Sequence, residues 1–387
     1  MTRRLRIAYV CFSSYGGSGV VATELARSMA ARGHEVHVVA SEAPHRLGRE
    51  SGVELHTLSP AAYPLFEQPL YGLAVTSKLV ELAQSRGLDL VHAHYAVPHA
   101  VSAYLAQQVL GARAPKVIIT LHGTDVTRVG NTPPDRVVNG FAIRAAAGVT
   151  TPSRYLQQAA CEAFALDAPH VEVIENFVDT AAFRPPFERD RSKLDVCFGP
   201  GADVGAPVLV HISNFRPVKR TADLVAVLAR LRERRRARLL LVGDGPDRPA
   251  VEEAVRAHGL GANVAFVGAS EDVAGYLAHA DLFLLTSEME SFGLAALEAA
   301  SCGLPVLAYA VGGLPEVVQH QETGVLIENR DVEALADAAD ELLADDRRRI
   351  AMGAAARRHV EARYGVGPAV DRYERYYARV VAAEGGA

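Results

Sequence analysis

The feature that most constrains the fold is the alternation of short apolar segments with helix-like segments along the whole chain. Most of the apolar segments are continuous and rich in β-branched residues, which is typical of strands covered by helices on both faces. The sequence therefore predicts an α/β protein with parallel sheets. The predicted strands are RIAYVCF (6–12), EVHVVAS (35–41), VELHTLS (53–59), LDLVHAH (88–94), KVIITLH (116–122), GVTTPS (148–153), VEVIENF (171–177), PVLVHIS (207–213), ARLLLVG (237–243), NVAFVGA (263–269), LFLLTSE (282–288), PVLAYA (305–310) and GVLIE (324–328).

A change in composition predicts two domains. Residues 178–206 are rich in Pro, Gly and charged side chains and separate two groups of strands, so we interpret them as the connection between domains. A length of 387 residues also exceeds one ordinary core. We expect doubly wound, Rossmann-like domains at 1–178 and 179–365, with a final helix at 366–387 packing back on the first. Ligands of such sheets bind beyond the carboxyl ends of the strands, and two such ends can face a central cleft.

Composition narrows the classes of partner. Forty basic and 45 acidic side chains give a net charge of −5, which argues against nucleic acid or an anionic membrane as the main partner. No apolar run approaches the roughly 20 residues of a membrane helix, so we expect no integral membrane association. The four cysteines lie far apart, which suits reduced thiols in a cytoplasmic protein. The sequence leaves the oligomeric state open, a homo-oligomer included.

A glycine-rich turn, YGGSGVVATELA (15–26), joins the first predicted strand to the first helix. Glycine lets the backbone approach a phosphate, and the helix N-terminus offers free N–H groups, so Gly17 is a candidate phosphate contact. Gly17, Gly19 and Ala22 also match the GxGxxA dinucleotide pattern, with Glu42 placed as a ribose-binding acid. A plain tight turn is the third interpretation.

The next two strand ends carry polar clusters. VHAHYAVPH (91–99) places two histidines on one strand face, which could bind a metal or line a cleft beside Tyr95. TLHGTDVT (120–127) brings Thr120, His122 and Asp125 to another strand end. Hydroxyl, imidazole and carboxylate groups there suit a sugar-binding edge, although a polar loop would have the same composition.

The second group of strands carries phosphate-type features. HISNFRPVKR (211–220) ends a strand with Arg216, Lys219 and Arg220, and cations in this position suit a diphosphate or form a solvated loop. LLLVGDGP (239–246) is a strand followed by a glycine turn at Gly243, where a nucleotide could rest.

SEMESFGLAALEA (287–299) places two acids, Glu290 and Glu298, around the start of a helix. The helix can hold a phosphate at its first N–H groups, and carboxylates accept paired sugar hydroxyls. A solvated acidic pair is the alternative. The arrangement favours a nucleotide sugar, with ribose, diphosphate and hexose along one ligand.

These motifs together resemble the retaining GT-B glycosyltransferases of family 4, whose mark is a Glu, seven residues and a second Glu. The resemblance extends over nearly the whole chain, through HGTD, NFRPVK, LLLVGDGP, ESFGLAALEAASCGLPV and GGLPEVV. HAHYAVPHAVSAYLA, TLHGTDVT and NFVD are similar to one subgroup, the N-acetyl-α-D-glucosaminyl L-malate synthases of bacillithiol biosynthesis. Many members have an Arg five positions before the Lys, where this chain has Asn214.

The resemblance implies roles for particular residues. Lys219 and Arg216 would neutralise the diphosphate, Glu298 would hold the ribose, Glu290 the hexose, and His122 would line the sugar. The remaining implied donor contacts are Gly17, Gly243, Phe292, Gly293 and Leu294. For the acceptor, we expect Ser18, Lys78, Tyr95 and Thr120, with Arg128 and Arg144 also available.

The resemblance further implies transfer of N-acetylglucosamine from UDP-GlcNAc to the hydroxyl of L-malate with retention of configuration. No cofactor and no metal are required in that scheme. Alternatives are another small acceptor such as inositol phosphate or a sugar, an NAD-dependent oxidoreductase that uses the first glycine turn, and a non-catalytic nucleotide-sugar sensor.

Overall fold

The computed structural model describes residues 3–13, 17–48, 52–59, 70–127 and 132–383. The chain divides into a first unit, Met1–Asn176 with Gly367–Ala387, and a second unit, Phe177–Val366. Each unit contains one parallel sheet with helices packed against it. The predicted α/β class is confirmed.

The first unit contains a seven-stranded sheet in the order β3-β2-β1-β4-β5-β6-β7. Every hydrogen-bonded strand pair in it is parallel. All seven strands lie inside the segments predicted from sequence. Their bounds are β1 (Arg6–Val10), β2 (Glu35–Ala40), β3 (Val53–Thr57), β4 (Leu90–His94), β5 (Lys116–Thr120), β6 (Gly148–Thr151) and β7 (Val171–Val173).

Two helices of the first unit show clear capping residues. Gly87 ends the second helix in the left-handed conformation, at φ +68°. The Ser153 side chain accepts a hydrogen bond from Leu156 N at 3.1 Å and caps the sixth helix. The bounds are α1 (Gly17–Ala31), α2 (Tyr71–Arg86), α3 (Val101–Leu110), α4 (Thr124–Thr127), α5 (Pro133–Ala145) and α6 (Arg154–Phe164).

The second unit contains a six-stranded parallel sheet in the order β10-β9-β8-β11-β12-β13. The predicted second group of strands is confirmed as well. The strands are β8 (Val208–Ile212), β9 (Arg238–Val242), β10 (Val264–Gly268), β11 (Leu282–Leu285), β12 (Val306–Tyr309) and β13 (Gly324–Ile327). The helices that follow α6 are α7 (Ser192–Asp195), α8 (Thr221–Arg232), α9 (Arg248–Ala257), α10 (Val273–His279), α11 (Leu294–Ser301), α12 (Leu314–Val317), α13 (Val332–Ala344), α14 (Asp346–Arg363) and α15 (Val366–Ala382).

Both sheets contain the strand order 3-2-1-4-5-6 of Rossmann sheets. The order reverses between β1 and β4 in the first unit and between β8 and β11 in the second. In open α/β sheets, ligands bind beyond the carboxyl ends of the strands at this switch point. The residues that follow β1, β4, β8 and β11 are therefore where each unit should carry its site.

The final helix, α15, supplies buried side chains to the first unit. The Tyr377 hydroxyl lies 3.1 Å from the Tyr9 hydroxyl and 2.6 Å from Nδ1 of His92, a residue of β4. Glu374 lies 3.0 Å from Nε2 of His34 and also accepts a hydrogen bond from Arg32. The helix thus completes the core beside β1 and β4.

The segment at 178–206, interpreted as the connection between domains, begins at the boundary between the two units and packs against the second one. Phe183 and Leu194 are buried in the core of the second unit. Arg189 donates to the Gly303 carbonyl at 2.7 Å, and Arg191 forms an ion pair with Asp281 at 2.6 Å. These buried and paired side chains tie the segment to the second unit, although apart from α7 it is irregular.

Two sequence-based expectations concern the cysteines and membrane-spanning helices. Cys11, Cys161, Cys197 and Cys302 are all free, as expected for reduced thiols. Among the described helices, none combines the length and apolar character that a membrane span requires.

Candidate functional site

Two predicted site residues meet at the carboxyl edge of the second sheet. Lys219 follows β8, Glu290 follows β11, and Lys219 Nζ lies 2.5 Å from Glu290 Oε1. The Ser287 hydroxyl donates to the same carboxylate oxygen at 2.7 Å. The two charged side chains are 17% and 12% exposed, so the pair is largely shielded but reachable. The switch point thus brings together a cation and an acid that lie 71 residues apart.

Two glycines hold the loop that carries Glu290. Gly313 N donates to the Glu290 carbonyl at 2.8 Å. Gly312 adopts φ +58°, and a Cβ there would lie 2.0 Å from the Glu290 carbonyl oxygen. Only glycine fits this approach. The pair appears in sequence as GGLPEVV, but the spacing alone did not indicate that it supports the acid.

The turn before α11 is built around Gly293 and Phe292. Gly293 adopts φ +96°, and a Cβ there would lie 2.4 Å from Leu314 Cδ2. Phe292 is 2% exposed and packs edge-on against Tyr364, with ring centroids 5.8 Å apart. The Phe292 side chain is therefore an anchor in the core, and only its backbone is available to a ligand. Leu294 begins α11, whose first N–H groups have no partner within the helix.

Glu298 lies one turn into α11 and is 5% exposed. Burial of a carboxylate costs free energy unless the group is paired or hydrogen-bonded. Its low exposure therefore distinguishes Glu298 from a solvated surface acid. The alternative of a solvated acidic pair is wrong for both acids, because Glu290 is also shielded.

The glycine turn after β9 lies close to the backbone after β8. Gly243 adopts φ +118°, and a Cβ there would lie 1.8 Å from the Ser213 carbonyl oxygen. Beside this contact, Asn214 Oδ1 is buried and accepts no hydrogen bond from the described residues. A buried acceptor without a partner needs an explanation, and a ligand donor is one. In sequence, Asn214 stands where many family members have an Arg, so its role as an acceptor is not evident from the motif.

The other two cations of the loop after β8 differ from Lys219. Arg220 forms an ion pair with Asp223 at 2.8 Å, and Asp223 also accepts the Tyr309 hydroxyl at 3.0 Å. Arg216 is exposed and donates to no group within the described ranges. The structure therefore brings only Lys219 to Glu290, and a diphosphate role for Arg216 stays a prediction.

In the first unit, His122 lies beside the ends of β4 and β5. Its Nε2 is 2.9 Å from His94 Nδ1, and the Tyr95 ring centroid lies 5.1 Å from its own. Burial lowers the pKa of His122 to about 3, so the ring is neutral near pH 7. Tyr95 adopts φ +84°, which is unusual for a non-glycine residue. His122 and Tyr95 are thus brought together as predicted neighbours of one site.

Among the described residues, the histidines of β4 and of the segment after it belong to no group of three potential metal ligands, and His94 Nε2 is buried without a hydrogen-bond partner. His92 uses Nδ1 for Tyr377 and Nε2 for the Thr120 hydroxyl at 2.7 Å. His99 uses Nδ1 for the His94 carbonyl at 2.6 Å and Nε2 for Tyr71 at 3.0 Å. Because protein groups occupy both nitrogens of each ring, neither has a lone pair for an ion.

Asp125 organises the HGTD loop from inside. Its carboxylate accepts the backbone N–H groups of His122 at 3.1 Å, Gly123 at 2.9 Å and Ala96 at 3.3 Å. It is 2% exposed, and burial raises its pKa to about 6 against the opposing effect of these donors. Asp125 fixes the two loops after β4 and β5 relative to each other.

One acceptor-binding prediction conflicts with the structure. Thr120 is 1% exposed, and its hydroxyl is 2.7 Å from His92 and 2.6 Å from the Thr150 hydroxyl. It joins strands in the core, so its hydroxyl is not available to a ligand. Lys78, on α2, pairs with Glu81 at 2.7 Å, and its role toward the acceptor stays a prediction.

The other residues predicted for the first unit are Gly17, Ser18, Arg128 and Arg144. Gly17 and Ser18 are the first residues of α1. The rest of the turn, at 14–16, lies outside the described residues, as does Arg128. Arg144 donates to the Phe164 carbonyl at 2.9 Å and thus links α5 to α6.

Comparisons with known proteins identify the family. The model "Glycosyltransferase Family 4" matches residues 15–182, and "Glycosyl transferases group 1" matches residues 198–359. N-acetyl-alpha-D-glucosaminyl L-malate synthase of Bacillus anthracis is 40% identical over 98% of each chain. D-inositol 3-phosphate glycosyltransferase of Jonesia denitrificans is 28% identical over 89% of this chain and 87% of that protein.

Comparison with solved structures supports the GT-B fold. The crystal structure of Anabaena HepE in complex with UDP and glucose superposes with a TM-score of 0.81 at 20% identity, over 97% of this chain and 100% of that one. The alternative of an NAD-dependent oxidoreductase has no support among these relatives, and the family predicted from sequence motifs is confirmed. This chain belongs to the family 4 glycosyltransferases of the GT-B fold and is a sugar-transferring enzyme.

Proposed function

We propose that this enzyme transfers N-acetylglucosamine from UDP-GlcNAc to the hydroxyl of L-malate, with retention of configuration at the anomeric carbon. The observation that carries this proposal is the 40% identity, over 98% of the chain, to a protein named N-acetyl-alpha-D-glucosaminyl L-malate synthase. The shielded ion pair at the second switch point supplies the matching chemistry.

The donor binds at the carboxyl edge of the second sheet. Lys219 carries three N–H donors, so it can keep its bond to Glu290 while donating to a diphosphate oxygen. The backbone N–H groups of Gly293 and Leu294 at the start of α11 offer further donors. Glu298 holds the ribose hydroxyls, and the Glu290 carboxylate accepts from the hexose. The UDP bound in HepE, a protein of the same fold, agrees with a uridine diphosphate donor.

The carboxyl edge of the second sheet offers three further contacts to the nucleotide sugar. Gly243 allows the nucleotide to approach the backbone after β9. Asn214 Oδ1, which has no hydrogen-bond partner among the described residues, can accept a hydrogen bond from the ligand. Arg216, exposed on the same loop, reaches the diphosphate as a second cation.

The reaction exchanges one bond at the anomeric carbon for another. The bond from that carbon to the diphosphate oxygen breaks, and a bond to the malate hydroxyl oxygen forms on the same face of the sugar. The hydroxyl proton passes to the departing phosphate oxygen, so the products are the glycoside and UDP. Negative charge grows on the diphosphate during cleavage, and Lys219 with the α11 N–H groups stabilises it more in the transition state than in the ground state.

The acceptor binds at the switch point of the first sheet. Malate brings two carboxylates, and the N-terminus of α1 at Gly17 and Ser18 offers N–H groups and a hydroxyl to an anion. The neutral ring of His122 and the phenol of Tyr95 lie at the neighbouring strand end, where they can line the transferred sugar. Four free thiols suit a reducing compartment, so we propose that the enzyme acts in the cytoplasm.

Mass spectrometry of the products tests the proposal directly. The enzyme is incubated with UDP-GlcNAc and L-malate, and the expected product has the mass of N-acetylglucosaminyl malate. The coupling constant of its anomeric proton should report the α configuration. Appearance of UDP without any glycosylated malate would overturn the proposed acceptor.

One rival is supported by a specific observation. The relative from Jonesia denitrificans is named for D-inositol 3-phosphate, a different small anionic acceptor. Parallel assays with L-malate and with D-inositol 3-phosphate as acceptor separate the two possibilities. A higher kcat/KM for inositol 3-phosphate than for malate would favour the rival.

A further inference from the structure

Three metal-ligand side chains meet on the edge of the first sheet, away from its switch point. His37 lies on β2, and Glu54 and His56 lie on the edge strand β3. His37 and Glu54 are direct partners in the parallel register. Glu54 and His56 are two residues apart, so they share one face of the sheet. The pairing of β2 with β3 therefore assembles the cluster.

The spacing of the three ligand atoms matches a tetrahedral ion. His37 Nδ1 is 3.1 Å from His56 Nε2 and 3.5 Å from Glu54 Oε2, and His56 Nε2 is 3.7 Å from Glu54 Oε1. With metal–ligand bonds of about 2.0–2.1 Å, tetrahedral ligands of Zn²⁺ lie about 3.3 Å apart. One ligand atom from each of the three side chains lies within 4.8 Å of the other two, so a modest adjustment of the Glu54 side chain would bring all three to one ion. This is the one group of three or more His, Cys, Asp or Glu side chains with such spacing in the part of the chain that the structure describes.

A fourth side chain fits the surroundings of a metal ligand. Glu35 Oε1 lies 3.4 Å from Nε2 of His37, the ring nitrogen that faces away from the cluster. That nitrogen is buried and forms no hydrogen bond of good geometry with the described residues. A histidine that binds a metal through one nitrogen commonly presents the other N–H to a carboxylate. A bound ion fixes this tautomer, because Nδ1 must then carry the lone pair.

The cations near the cluster do not occupy the carboxylate oxygen that would bind an ion. Arg86 donates to Glu54 Oε1 at 3.2 Å, which leaves Oε2, the oxygen nearer to His37, for an ion. Lys78, the other nearby cation, is paired with Glu81. His37 is 1% exposed and His56 13%, whereas Glu54 is 47% exposed and opens the cluster to solvent.

We propose that His37, Glu54 and His56 bind one divalent transition-metal ion, with Zn²⁺ the best match to two imidazoles and a carboxylate. Three protein ligands leave one coordination position for water on the solvent side. The site lies on β3 and β2, whereas the proposed acceptor site lies at β1 and β4. The ion therefore pins the edge strand to the sheet and takes no part in sugar transfer.

Metal content of the full-length chain, prepared without a histidine tag, tests the proposal. The protein is stripped with a chelator, equilibrated with Zn²⁺, freed of excess metal and measured by mass spectrometry of the elements. We expect one zinc per chain in the wild type and far less than one in His56→Ala and Glu54→Gln. The matched controls are His170→Ala, at an exposed histidine, and Glu253→Gln, at an exposed glutamate of the second unit, and both should retain one zinc.

Two further measurements keep the result interpretable. Zinc should raise the melting temperature of the wild type and leave that of His56→Ala unchanged, and circular dichroism shows whether each stripped variant is folded. If His56→Ala does not fold, Glu54→Gln decides, because its side chain is exposed and keeps its size. Co²⁺ in place of zinc should give the intense visible bands of a four-coordinate site in the wild type alone. Wild-type zinc content no higher than that of the two ligand variants would mean that the histidines form only an internal hydrogen bond, and would overturn the proposal.

Discussion

Replacement of Lys219 by alanine probes the central contact of the donor site. The ammonium group lies 2.5 Å from Glu290 and, in the proposed complex, also donates to the leaving diphosphate. Loss of one fixed group that stabilises developing charge lowers kcat by about 10²–10³, which corresponds to roughly 2.7–4 kcal/mol of transition-state stabilisation. We expect the KM for UDP-GlcNAc to change much less, because the charge that Lys219 meets is larger in the transition state than in the ground state.

The same substitution has a smaller cost for folding. It leaves the Glu290 carboxylate, 12% exposed, with the Ser287 hydroxyl as a remaining donor. A shielded polar group that loses a partner costs about 1–3 kcal/mol. The melting temperature should therefore fall by several degrees, at about 2–4 °C per kcal/mol for a domain of this size. The variant should be folded at assay temperature, so that lost turnover reports on chemistry.

The assay follows UDP release and glycosylated malate under saturating substrates, with the melting temperature recorded for each protein. Arg230→Ala is the matched control, because this arginine lies on α8 in an exposed ion pair with Glu233 at 3.3 Å. It should keep wild-type turnover within a factor of two, as exposed pairs contribute little. A folded Lys219→Ala enzyme whose kcat stays within tenfold of the wild type would refute the proposed stabilisation of the leaving diphosphate.

Three other predictions follow from the described contacts. Gly312→Ala should destabilise the protein by more than about 1 kcal/mol and reduce donor turnover, because a Cβ at φ +58° would press on the Glu290 carbonyl; an unchanged melting temperature would contradict this. The pKa of His122 is lowered to about 3, so its contribution to stability is complete above about pH 6.5 and is lost as pH falls toward 3; His122→Gln should flatten that part of a pH-dependent urea unfolding series. Tyr377→Phe should cost about 1–3 kcal/mol in urea unfolding, since it removes the hydroxyl that His92 shares, and a loss below about 0.5 kcal/mol would show that the core adapts.

The sequence determined the local elements and much of the topology. Continuous apolar runs such as KVIITLH predict strands that are buried on both faces. The helix-like segments between them predict crossover connections, which join parallel strands. The motifs that end those strands predicted a nucleotide-sugar enzyme before any contact was known. Lys219 and Glu290 were predicted in this way, because each lies in the loop after a strand, at the edge where parallel sheets bind ligands.

Tertiary structure decided which of those side chains face a ligand and which face the core. Strand residues alternate between two faces, so only packing shows that Thr120 joins β4, β5 and β6 in the core. Composition likewise could not show that Phe183 anchors the segment at 178–206 in the second core, since burial depends on distant residues.

Contacts between residues on distant or differently paired strands also could not be predicted from the sequence. The bond from Lys219 to Glu290 spans 71 residues, and the cluster of His37, Glu54 and His56 exists only because β2 and β3 pair in one register. A shift of that register by one residue would turn the β3 side chains to the opposite face. Local propensity fixes the elements of this protein, whereas its sites arise from the way the elements are paired.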